Sequence, residues 1–228
     1  MHIYLDGKIF LLNLERSIMF KYEKDMIPIL GEELSKLYNT KHFFYEFDSG
    51  NGVADIVLAV DVDCRNYTIV DYDLMFVIMN SFNRMNKKIK IKEFLKNTFL
   101  NKKKAVSLLD FLEMNGYTEK IDTNYILIKS KYTPPIKQII SIEAKLSDWK
   151  SGFYQALRYK VYSHKSYLAI SEEFAHRVDK DLLLQNNIGL IIVSEDKISI
   201  SIEAKSNKPS DSIAQAYLSE KMADMVFA

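Results

Sequence analysis

The sequence predicts an α/β chain, with a central mixed sheet flanked by helices and a helical segment inserted in its middle. Three observations predict it. Strand-like runs of period two alternate with helix-like runs toward both ends. The apolar period changes from two to about 3.6 between Asp71 and Tyr132, and charge is unevenly divided along the chain. At 228 residues and 48% hydrophobic content, the chain can bury either one large core or two small ones. With 27% charged residues, 7 glycines and 4 prolines, disorder and low-complexity fibres are excluded.

Taken in order, His2 to Phe20 mixes short apolar runs with charge and gives no pattern. From Met26 to Tyr38, Ile27, Leu30, Leu34 and Leu37 recur at helical spacing, with Glu33 beside the apolar stripe. His42 to Phe47 and Val53 to Val60 read as strands joined by the turn Ser49-Gly50-Asn51-Gly52, a hairpin. Three helices follow: Leu74, Phe76, Val77, Met79 and Phe82 mark the first, Ile91, Phe94, Leu95 and Phe99 the second, and Ala105, Leu108, Leu109 and Leu112 the third. Asn115-Gly116 ends the third, because glycine can adopt a left-handed cap. Glu119 to Tyr132 then reads as a small hairpin turning at Asp122-Thr123-Asn124. After Pro134-Pro135 come a strand (Ile136 to Lys145), an amphipathic helix (Asp148 to Tyr162) and a strand (Ser166 to Ile170). A helix over roughly Glu172 to Leu184, a strand pair (Ile188 to Ser194 and Lys197 to Lys205) and a helix over Asp211 to Met225 complete the chain.

Three helices and a hairpin resemble a winged helix-turn-helix domain over residues 71–132. Residues 80–132 hold 12 Lys/Arg against 5 Asp/Glu, a net +7, which leaves −6 for the rest of the chain. A basic module beside an acidic remainder suggests contact with a polyanion. In a winged helix, Lys102, Lys103 and Lys104 would open the recognition helix, and Lys129 and Lys131 would lie on the wing, all facing DNA. Winged helices also dock proteins, so a protein partner is the competing expectation.

Two features carry chemistry. On a strand, side chains alternate, so Glu143 and Lys145 of Ile142-Glu143-Ala144-Lys145 share one face. Asp55 interrupts the apolar run Val53-Ala54-Asp55-Ile56-Val57-Leu58, where a charge is costly unless paired or metal-bound. Gly52-Val53-Ala54-Asp55, then Ile142-Glu143-Ala144-Lys145, then a helix with Gln155 and Tyr159, resemble the PD-(D/E)xK nuclease superfamily of restriction-endonuclease-like proteins. The resemblance implies a discontinuous nuclease-like domain over 1–70 and 133–228, and catalysis by Asp55, Glu143 and Lys145 with Glu33 and Gln155 assisting. It implies Mg²⁺, or Mn²⁺, held by Asp55, Glu143, Ala144 and Glu33, with DNA as substrate and a homodimer as a common arrangement. The insert accounts for the 87 residues between Asp55 and Glu143. The alternative is a DNA-binding or regulatory protein with a degenerate nuclease fold.

Ser141-Ile142-Glu143-Ala144-Lys145 recurs as Ser201-Ile202-Glu203-Ala204-Lys205. The second copy lacks a following Gln-bearing helix and reads as the solvated face of an edge strand. The four histidines lack metal-ligand spacing, and no glycine-rich phosphate loop occurs. The single cysteine, Cys64, cannot form an internal disulfide. With no basic-then-apolar leader, this favours a reducing cytoplasm. No run approaches the ~20 apolar residues a membrane helix needs.

Overall fold

The structure, a computed structural model, describes residues 20–82, 84–98 and 100–227 in full, and the backbone of residues 2–5 and 8–11. Strands β1 (His2–Leu5) and β2 (Lys8–Leu11) form an antiparallel pair. Most of the unpatterned stretch before Phe20, and Phe99 of the expected second helix, lie outside the described residues.

A short 3-10 turn (Glu23–Met26) leads into α1 (Ile27–Tyr38), where Pro28 in the first turn needs no hydrogen-bond partner for its nitrogen. The helix ends at Asn39, whose left-handed backbone (φ 47°) closes it. β3 (His42–Asp48) and β4 (Val53–Val62) form the expected hairpin. α2 (Tyr72–Ser81), β5 (Lys88–Lys90), α3 (Ile91–Thr98), α4 (Lys102–Met114), β6 (Thr118–Lys120) and β7 (Tyr125–Ile128) follow. Asp71 caps α2 through the Leu74 amide and Asn101 caps α4 through that of Lys104. β5 is the one element of this segment without a sequence signal. Its Lys88-Ile89-Lys90 is too short to show a period, yet it pairs with β7 in the sheet order β5-β7-β6.

β8 (Ile136–Lys145), α5 (Trp149–Tyr159) and β9 (Lys165–Ser171) follow. The single helix expected over 172–184 is instead a 3-10 segment (Glu172–Arg177) and a separate α6 (Lys180–Gln185). Val178 is extended there, and the Asp179 carboxylate accepts the Leu182 amide, starting a new helix. β10 (Gly189–Val193), β11 (Ile198–Ile202) and α7 (Ser212–Phe227) complete the chain.

The protein is an α/β structure with a mixed six-stranded sheet, order β11-β10-β9-β8-β4-β3, flanked by helices. β8, β9 and β10 run parallel to one another, and the remaining pairs are antiparallel. Leu30 and Leu34 of α1 pack on one face with Ile56, Leu58, Ile140 and Ile142. Phe153 and Ala156 of α5, and Leu218 and Met222 of α7, cover the other. Burying a leucine of this kind stabilises by roughly 1.5–3 kcal/mol.

A further apolar cluster gathers α2, α3, α4, β5 and β7 and also takes in Ala216 of α7. The segment leaves and rejoins the sheet at one place: Val62 pairs with Ile136, and the Asp63 amide donates to the Pro135 carbonyl at 2.7 Å. Beside that junction, Arg65 reaches Tyr117 and the Thr133 carbonyl, and stands 3.8 Å from buried Glu220 of α7. Among the described residues, no helix is long and apolar enough to cross a membrane.

Candidate functional site

The central feature is a parting of two strands. β4 and β8 are paired from Val62–Ile136 up to Ile56–Ile142, and no pairing is recorded beyond. The next inward amide of β8, that of Ala144, loses its strand partner. The Asp55 carboxylate replaces it, with Oδ2 2.7 Å from the Ala144 nitrogen.

A local step in the hairpin positions Asp55. The β3–β4 register runs Tyr45–Ile56 and resumes at Phe47–Ala54, leaving Glu46 and Asp55 between, and Glu46 has φ 47°. Phe44 and Phe47, three residues apart, enter the same core cluster, as do Ala54 and Val57. Both strands therefore change face at this step. Strict alternation would have buried Asp55; the step leaves it half-buried at the rim.

Glu143 and Lys145 share one face of β8, as alternation requires. Glu143 is 1% exposed, and its Oε1 lies 2.7 Å from Lys145 Nζ. Its other oxygen, Oε2, lies 2.7 Å from the Tyr159 hydroxyl of α5, which is also 2.6 Å from the Val53 carbonyl. The tyrosine thus joins β4 to β8 where they diverge. Gly152 lets its helix come close, since a side chain there would sit 2.8 Å from Lys145 Cγ, while Gly52 takes φ 125°, a backbone that L side chains rarely adopt.

Glu23 completes the group. Its Oε2 is 3.5 Å from Lys145 Nζ and its Oε1 is 3.4 Å from the Leu146 nitrogen. Met26, fully buried in the cluster below, anchors the turn that carries it. A cavity of about 460 Å³ opens beside Asp55, lined by Glu23, Tyr45 and Glu46 and by the first residues of α1.

Charge crowds this notch. Burial pushes the Asp55 carboxyl up. The Ala144 amide and Lys145 pull it down, while Glu23 and Glu46 push it further up. Burial likewise raises Glu143 against the hydrogen bonds from Lys145 and Tyr159, and the Asp55 charge adds to the rise. Burial would lower the Lys145 ammonium, but its bond to Glu143 and the charges of Glu143, Glu23 and Asp55 raise it overall. One ammonium therefore faces several carboxylates, an arrangement that favours additional positive charge. Even so, among the described residues no group of three or more His, Cys, Asp or Glu side chains is placed to hold a metal ion.

The structure thus brings Asp55, Glu143, Ala144 and Lys145 together. Glu33 stands elsewhere, paired with Lys36 at 2.9 Å on the outer side of α1. It lies six residues past Ile27, roughly 9 Å along the helix axis, and Glu23 takes the position beside Lys145 that was expected of it. Gln155 accepts from Ser151 at 3.1 Å, one turn of α5 before Tyr159. The repeated triplet is separate: Glu203 lies just past edge strand β11 and accepts from Lys165 and from the Tyr167 hydroxyl at 2.8 Å. His164 accepts the Ile139 amide at Nδ1, a structural role. Of the basic residues expected to face DNA, Lys104 is paired with Asp71 and Asp73, and Lys129 with Glu119. Lys102, Lys103 and Lys131 are exposed.

No family model and no curated protein sequence matches the chain. Among solved structures, it is similar to a protein of unknown function from Silicibacter pomeroyi, at 22% identity and a TM-score of 0.28. The match covers 39% of this chain and 57% of that one, so the chain spans little more than half of its length.

Proposed function

We propose that the chain is a metal-dependent DNA endonuclease of the PD-(D/E)xK type. A nuclease-like domain over 1–70 and 133–228 would surround a winged-helix domain over 71–132 that holds the DNA. One observation carries this reading. Asp55 and the Glu143–Lys145 pair, with 87 residues between Asp55 and Glu143, meet at the parting of β4 and β8, joined through the Ala144 amide.

The donor chemistry fits a hard divalent cation, since only oxygens are offered. Asp55 Oδ1, a Glu143 oxygen and the Ala144 carbonyl, which leaves the strand on the same side as its amide, would hold Mg²⁺ or Mn²⁺. Bound there, the ion would supply Lewis acidity at the phosphate and lower the pKa of an attacking water. Lys145 would offset charge developing on the phosphate and help position the attacking water. Tyr159 and Glu23 keep Glu143 and Lys145 in place, and the insert brings duplex DNA across the notch.

A second reading, a DNA-binding protein whose nuclease fold does not cut, is favoured by one specific feature. Both Glu143 oxygens already have protein partners, Lys145 and Tyr159. Incubation with plasmid DNA and Mg²⁺ or Mn²⁺ separates the two. The endonuclease nicks or linearises it, and Asp55→Ala and Lys145→Ala each abolish cutting. Cleavage that survives both substitutions rejects the assigned site, and DNA retention without any cutting by the unaltered protein supports the second reading.

A further inference from the structure

Charge within the basic segment is itself unevenly divided. Residues 80–98 hold six Lys/Arg (Arg84, Lys87, Lys88, Lys90, Lys92 and Lys96) against Glu93 alone, a net +5. Residues 99–132 hold six lysines against Asp110, Glu113, Glu119 and Asp122, a net +2. The second group is weaker still in the folded protein, because Lys104 bridges Asp71 and Asp73, two carboxylates from outside it. The positive surface therefore centres on the end of α2, β5 and α3, and not on the start of α4.

That surface is concave. A groove of about 500 Å³ is lined by Arg84, Lys87, Lys88 and Lys90 together with polar side chains such as Ser81 and Asn97. Ile89 is buried beneath it, so Lys88 and Lys90 project from the same face of β5, about 7 Å apart by strand geometry. The Lys88 ammonium lies 4.1 Å from the centre of the Tyr125 ring on β7, which holds it over the sheet. Among the described residues, Arg84, Lys87 and Lys88 form no ion pair, and Lys90 pairs at 3.2 Å with Glu93, both side chains being largely exposed. Such an exposed pair is readily exchanged for a phosphate.

We infer that this groove binds the sugar-phosphate backbone of duplex DNA and is the main anchoring surface of the insert, ahead of the lysines that open α4. The chemistry suits that partner. Cations in a row neutralise successive phosphates, while amides and hydroxyls serve sugar and phosphate oxygens without reading bases. An anionic membrane would instead call for an apolar face beside the charge, and this lining is predominantly polar. The inference rests on the proposal that the insert holds DNA, and the experiment separates the two.

Binding of a fluorescein-labelled duplex is measured by anisotropy across a salt series, with EDTA present so that no cleavage intervenes. The triple variant Arg84→Glu, Lys87→Glu, Lys88→Glu is compared with Lys102→Glu, Lys103→Glu. All five side chains are exposed, and circular dichroism checks that each variant folds. The triple variant is expected to lose ~30-fold or more in affinity at low salt and about three contacts' worth of salt slope, near 0.9 per contact. The α4 variant is expected to change affinity by less than about threefold. Equal losses in both, or an unchanged slope in the triple variant, overturn the groove while leaving DNA binding intact. If the unaltered protein binds no duplex at low salt, or binds only phosphatidylserine vesicles, the DNA-holding role of the insert falls as well.

Discussion

Replacing Tyr159 with phenylalanine removes one oxygen and leaves the ring, so no cavity opens and the effect isolates the hydroxyl. That hydroxyl lies 2.7 Å from Glu143 Oε2 and 2.6 Å from the Val53 carbonyl. A hydrogen bond to a charged partner contributes about 1.5–3 kcal/mol, and a buried acceptor left unmade carries its desolvation cost. Tyr159→Phe should therefore lower stability by about 2 kcal/mol. For a chain of 228 residues, this corresponds to a melting temperature roughly 4–8 °C lower. The loss should depend on pH in a defined direction. Burial already holds the Glu143 carboxyl above its ordinary value of 4.5, against the Lys145 and Tyr159 hydrogen bonds. Loss of the phenol raises it further. A group whose folded pKa is raised stabilises below its unfolded value and loses that contribution as pH rises through the folded one. The difference between variant and parent should thus be small at acidic pH and full at alkaline pH. Urea unfolding of both proteins at the two extremes, in metal-free buffer, provides the measurement. A difference below about 0.5 kcal/mol at alkaline pH, or a larger one at acidic pH, would refute the account of how Glu143 is held.

Three further outcomes follow from the geometry. Glu203→Ala should leave DNA cleavage within about twofold of the parent while Glu143→Ala abolishes it, and equal losses would make the second triplet the site. Gly152→Ala should destabilise by about 1–3 kcal/mol and reduce cleavage, because the added carbon would stand 2.5 Å from Leu168 Cδ1 and 2.8 Å from Lys145 Cγ; unchanged thermal melting would contradict the packing. Buried Glu220 is pushed by desolvation, against the opposing Arg65 charge, to about 7 from 4.5, so its contribution is lost as pH rises across that interval, by about 3 kcal/mol. Glu220→Gln should flatten the stability profile over the same range, and denaturant titrations at its two ends would detect a profile that stays steep.

Much of the sheet was legible because strands announce themselves through alternation. Ile136 to Lys145 was expected at the limits it occupies, and the alternation that defined it also put Glu143 and Lys145 on one face. Asp55 stood out as a lone charge in an apolar run, but the step at Glu46 that brings it to the rim left no trace in residue types. Glu33 shows the limit of periodicity. Spacing gives the side of a helix on which a residue lies, not which end of that helix meets the site. Glu23 precedes α1 in the charged stretch Lys21 to Asp25, where no pattern marks it. The hydroxyl of Tyr159 acts through partners 16 and 106 residues away, a relation that only the folded chain creates. The break at Val178 was missed because the apolar spacing continues across it, while the capping carboxylate of Asp179 governs the backbone.

The closed mouth at Val62–Ile136 works as a socket. Because the sheet registers both ends of the excursion against each other, its length hardly matters to the strands it interrupts: each doubling of a connecting loop costs only about 0.6 kcal/mol in closure entropy. A segment of different length could therefore be seated at that end of the strands without disturbing the notch at their other end, beyond Ile56–Ile142. The present segment also covers the flank of the last helix, where Ala216 enters its apolar cluster and Tyr132 reaches Glu220.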